Sequence, residues 1–208
     1  MSMTTLRIND KDEISKIVDV HNSAFKGFFL TDLGHDFLKL YYKSVIESEN
    51  GILLGAYNGD KLIGFCAACT RSAGFNYALI KQNIFSYIIA GIKILLTRPK
   101  SLLRLFFNLS KTNNAQDNGE YAEILSIAVR KEAQNSGTGK LLVAAIEDFL
   151  KQKQITVLSL TTDEYDNERT LAFYRRNGFD VMYEFETYPN RRMYRLLKKI
   201  DKASNTNY

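Results

Sequence analysis

The apolar positions of this chain change period several times, and each change marks a predicted element. Leu6-Arg7-Ile8-Asn9 alternates as a short strand does, after which Asp10-Lys11-Asp12-Glu13 has the form of a capping box opening a helix. Ile14, Ile17, Val18, His21 and Phe25 recur at spacings of three and four, so that helix runs to about Ala24 with one stripe toward a core. His21 on this stripe reads as a packed or hydrogen-bonded residue, not a ligand. Gly27 breaks the period, and Thr31 or Asp32 offers the N-cap of a second helix ending near Glu49. Its apolar face is Phe37, Leu38, Tyr41, Tyr42 and Val45.

Two β-rich runs, 51–57 and 61–70, flank Asn58-Gly59-Asp60, a hairpin signal. Residues 72–118 then interrupt the strands with two apolar, basic stretches, 83–97 and 99–110, read as an inserted helical hairpin with Pro99 opening its second arm. Beyond a polar loop, the expected order is a strand over 120–129, a loop and helix to about Gln152, a strand over 155–161, a helix over 167–177, and strands over 179–185 and 193–197. This order describes an α/β (α+β) fold, a mixed sheet with helices on its faces. A single domain over 1–200 is expected, with the insertion at about 72–118 and a flexible tail at 201–208.

Composition changes this picture little. Hydrophobic residues make up 45% of the 208 and charged residues 25%, ordinary globular values. No secretory signal is apparent at the start of the sequence, so a cytoplasmic location is expected. Cys66 and Cys69 lie in a strand at a spacing that puts them on opposite faces, where they read as reduced, buried hydrophobes. Charge matters more. The net charge is +5, yet Lys81, Lys93, Arg98, Lys100, Arg104 and Lys111 all fall in the acid-free stretch 72–116, and the rest of the chain is near neutral. Basicity confined to one segment weakens a nucleic-acid reading, and no base-stacking motif supports one.

The candidate chemistry lies where the strand Ile124-Leu125-Ser126-Ile127-Ala128-Val129 runs through Gln134-Asn135-Ser136-Gly137-Thr138-Gly139 into the helix beginning Lys140-Leu141. A glycine-bearing loop at a helix N-terminus offers unpaired amides and a positive dipole end, which together cradle an anion such as phosphate. Neither a Walker loop nor a dinucleotide-binding glycine turn fits these residues. Gln134-x-x-Gly137-x-Gly139 instead resembles the Q/R-x-x-G-x-G/A loop of the GNAT superfamily of acetyl-CoA-dependent N-acetyltransferases. Asn167 to Tyr174 and then Gly178-Phe179 resemble that family's N-x6-Y-x3-G-F segment. The strand and helix order agrees outside 72–118, where the chain departs from the minimal family pattern.

The resemblance implies a GNAT-like, mostly antiparallel twisted sheet, acetyl-CoA as cosubstrate without a metal, and direct acetyl transfer to a primary amine, of a small molecule such as an amino sugar or of a protein. It implies that the amides of Gln134, Asn135, Ser136, Gly137, Thr138, Gly139 and Lys140 hold the coenzyme pyrophosphate. It further implies that backbone amides of Ile127 and Val129 meet the acetyl carbonyl and pantetheine, that Asn167 and Tyr174 line the coenzyme, and that Tyr174 protonates the departing sulfur. Glu123, in an Ala-Glu-Ile context, is the candidate base, with Glu120 in reserve and water as the third possibility. A catalytically inactive acyl-CoA sensor or partner-binding module on the same fold is the alternative. The insertion is too apolar for one narrow stripe, and its uncharged run is well short of the ~20 residues a spanning helix needs. Packing on the body or in a homodimer, interfacial membrane contact, and a basic lid over an anionic acceptor all remain open for it.

Overall fold

The computed structural model describes residues 3–8, 12–100, 117–188 and 190–201. Asp10 and Lys11 of the predicted capping box, the predicted second helical arm from 101 onward, and the tail from 202 lie outside them. Seven strands form one sheet: β1 (Met3–Arg7), β2 (Gly51–Asn58), β3 (Lys61–Cys69), β4 (Ala122–Val129), β5 (Val157–Asp163), β6 (Asp180–Thr187) and β7 (Arg191–Lys199). Their order is β1-β2-β3-β4-β5-β7-β6, antiparallel throughout except for the parallel pair β4 and β5. The mixed sheet expected from the pattern is therefore present, mostly antiparallel as the resemblance implies, and the hairpin turns at Gly59, with φ +59°.

The helices are α1 (Ile14–Ala24), α2 (Phe29–Asp32), α3 (His35–Glu47), α4 (Phe75–Gln82), α5 (Ile84–Thr97), α6 (Thr138–Gln152) and α7 (Glu168–Arg176). Two differ from the pattern reading. The expected second helix is broken at Gly34, whose φ of +98° ends α2 and caps α3, while Thr31 donates its hydroxyl to the Phe25 carbonyl instead of capping. The insertion also contains α4, a helix unforeseen because it is short and its apolar residues Phe75, Tyr77, Ala78, Leu79 and Ile80 do not fall in one stripe, although only Phe75 and Leu79 are buried.

The sheet separates two cores. Ile17, Val18, Leu38, Tyr42 and Phe65 fill the one beneath α1 to α5; Ile52, Leu142, Ile146, Leu158 and Phe179 fill the one beneath α6 and α7. Cys69 belongs to the first and Cys66 to the second, on opposite faces as their spacing requires. Burial pushes the Cys69 thiol up to about 12, and both cysteines are free. In the first core His21 Nδ1 meets the Tyr42 hydroxyl at 2.7 Å. Desolvation lowers its pKa to about 4, so the imidazole is neutral.

Candidate active site

The site begins with a defect in strand pairing. β4 and β5 pair only from Ala122 with Leu158 to Ile124 with Leu160, yet β4 continues to Val129 and β5 to Asp163. The two parallel strands therefore splay apart beyond Ile124, opening a slot in the sheet. On the other edge of β4, Ala67 pairs with Ser126 and Ala68 with Ile124, so Leu125 is an extra, bulged residue. This bulge resets the simple alternation of a strand. Leu125 and Ala128 face the first core, as does Glu123, which interacts with Tyr41 and Cys69 there, whereas Ile124, Ile127 and Val129 face the second. Arg130 donates its amide to Ile63 on β3. Strand alternation then directs the amides of Ile127 and Val129 away from β3, toward the slot.

The slot leads to the glycine loop. After a 3-10 turn (Lys131–Ala133), Asn135 (φ +62°) and Gly137 (φ +88°) adopt left-handed backbone and turn the chain into α6. Nothing stands within 4 Å of a Cβ built on Gly137, so its glycine answers to the dihedral alone. Gly139 has another reason: a Cβ there would lie 3.2 Å from the Phe173 ring, so this glycine lets α6 approach α7. The loop hydroxyls are engaged internally. Ser136 donates to the Ala133 carbonyl at 2.6 Å and shares a hydrogen bond with Thr138 at 2.7 Å, and the Thr138 side chain is 1% exposed. The first amides of α6 lack helical partners, and Gln134, Asn135 and Lys140 are exposed beside them.

Tyr174 lies on α7 in the second core, edge-on to Phe173 and Phe179. Burial pushes its phenol well above the ordinary range, so the hydroxyl is a proton donor at neutral pH. It shares this core with Cys66, which pairs with Ile127 across β3 and β4 at the level of the slot. Asn167 precedes α7 and donates both amide hydrogens to the end of β5, at 2.7 Å to Thr162 Oγ1 and 2.8 Å to the Asp163 carbonyl. It thereby ties α7 to the lip of the slot.

Glu123 sits on the opposite face. Its Oε1 accepts from Arg195 at 2.5 Å, its Oε2 accepts from Ser72, and each side chain of the ion pair is 14% exposed. Arg195 also lies over the Tyr121 ring, and Asp117 accepts from Tyr121 and Tyr183 beside it. The pattern reading missed this network. Its only signal was a cation at an inward position of a strand, Arg195 between Tyr194 and Leu196. Glu120, the reserve base, is exposed, pairs with Arg71, and rims a pocket of about 280 Å³ at the paired start of β4 and β5, away from the slot.

A sheet opened between two parallel strands, with an amide-lined loop at its mouth, defines an acetyltransferase fold. Residues 15–179 match the Acetyltransferase (GNAT) family, and the chain belongs to it. No curated protein sequence matches it. Among solved structures it is similar to the ribosomal-protein-S18-alanine N-acetyltransferase of Escherichia coli (13% identity, 100% of this chain and 99% of that one, TM-score 0.61). It is also similar to the PaiA N-acetyltransferase of Thermoplasma acidophilum in complex with coenzyme A (17%, 96% and 99%, 0.58) and to Ard1 of Thermoplasma volcanium (12%, 97% and 100%, 0.58).

Proposed function

We propose that this protein transfers the acetyl group of acetyl-CoA to a primary amine by direct attack. The observation that carries the reading is the slot between β4 and β5, which runs to the amides at the start of α6. Pyrophosphate is received by the amides of 134–140, where the helix dipole and orphan N–H groups favour an anion. Pantetheine enters the slot, and the amides of Ile127 and Val129 polarise the thioester carbonyl. The amine approaches from the first-core face, where Glu123 lies, and Tyr174 on the other face protonates the thiolate as the tetrahedral adduct collapses. Proton removal and proton delivery thus stand on opposite sides of the sheet.

A second reading, coenzyme binding without turnover, draws on Glu123. Both of its oxygens already accept a hydrogen bond, from Arg195 and Ser72, and the paired Arg195 cation stabilises the carboxylate and so weakens it as a base. Thiol release from acetyl-CoA, measured against polyamines, amino sugars and peptide N-termini, separates the two. Amine-dependent release with one class supports transfer; release with none, alongside retained coenzyme binding, supports the sensor.

A further inference from the structure

Helix α5 carries two apolar stripes where a surface helix needs one. The inner stripe, Tyr87, Ala90 and Ile94, packs against the first core, with Tyr87 edge-on to Phe37 of α3. The outer stripe, Phe85, Ile88, Ile89, Ile92 and Leu96, follows at spacings of three and four and faces away, Phe85 being 80% and Leu96 79% exposed. No single helix among the described residues is long and apolar enough to cross a membrane, and α4 and α5 meet at a bend of 95°. Lys81 near the end of α4 and Lys100 beyond α5 are exposed and stand at opposite ends of the stripe, and 72–116 contains no acidic residue.

We propose that the outer stripe of α5 seats this protein on an anionic lipid surface. An apolar stripe with cations at both ends, and with Lys93 between them paired to Asp36 of α3, matches acyl chains bordered by phosphate headgroups. A second copy of the chain fits less well. In a two-fold pairing each α5 meets its own image, and because both ends are basic, either orientation sets like charges together. Docking this way also turns the first-core side of the sheet, from which the amine approaches in the reading above, toward the lipid. The proposal itself does not depend on that reading, since its test does not measure acetyl transfer.

The test is flotation of the purified full chain with vesicles of phosphatidylcholine alone and of phosphatidylcholine with phosphatidylglycerol in equal parts. Binding is expected to the mixed vesicles, weakening as salt rises. Phe85→Ser with Leu96→Ser is expected to weaken it tenfold or more, and Lys81→Gln or Lys100→Gln by roughly fivefold each. All four positions are exposed, and unchanged thermal unfolding of the variants checks the fold. Absence of binding to the mixed vesicles overturns the proposal, as does binding that Phe85→Ser with Leu96→Ser leaves unchanged. A dimer in light scattering that the same double variant dissolves, without vesicle binding by the parent, assigns the stripe to a second copy and overturns it equally.

Discussion

Tyr174 and Glu123 contribute to the reaction in different ways, and substitutions read them separately. Tyr174→Phe removes the proton donor while keeping the ring between Phe173 and Phe179, so kcat is expected to fall about a hundredfold or more with coenzyme binding retained. A kcat within twofold of the parent would remove Tyr174 as the acid. At the ion pair, Arg195→Met leaves the Glu123 charge largely buried without its partner and is expected to cost about 3–5 kcal/mol. Adding Glu123→Met should recover much of this loss, and denaturant unfolding of the four-member cycle measures the coupling. His21 supplies the pH dependence. The unfolded chain takes up a proton on this side chain as pH falls through about 6.5, whereas the folded chain does so only near 4. The folded state therefore loses stability as pH falls below 6.5, by about 2 kcal/mol at pH 5 from this group. Unfolding at pH 7 and pH 5 should show a smaller difference in His21→Gln than in the parent.

Among the elements, the turn into α6 is the most sensitive. Gly137 caps that helix at φ +88°, and an alanine there is strained by about 1–2 kcal/mol. Gly137→Ala should therefore lower stability by that amount and weaken coenzyme A binding in calorimetry, because the amides it aims are displaced. Unchanged affinity would show that the loop does not hold the coenzyme. The bulge at Leu125 is the other device at this scale, since it puts the carboxylate of Glu123 and the side chains of Ile127 and Val129 on opposite faces of one short strand.

For the whole molecule, the sheet lies between the two cores, and the slot cuts that sheet between β4 and β5. A ligand filling the slot bridges both halves. Coenzyme A at a hundred times its dissociation constant should stabilise the fold by about 2.7 kcal/mol, seen as a rise in Tm. The absence of any rise at millimolar coenzyme would count against the slot as its site.

Much of this was legible in the residues alone. Element order, the Asn58-Gly59-Asp60 hairpin, the opposite burial of Cys66 and Cys69, and the loop from Gln134 to Gly139 follow from local period and turn chemistry, which depend on neighbours in sequence. The tertiary structure decided what depends on distant partners. The bulge at Leu125 exists through pairing with β3, the slot through the divergence of β4 from β5, the Gly139 requirement through Phe173, and the Glu123 ion pair through Arg195, 72 residues away in sequence. A side chain's neighbours along the chain fix its period; which charge or ring it meets across the sheet is set only when the strands come together.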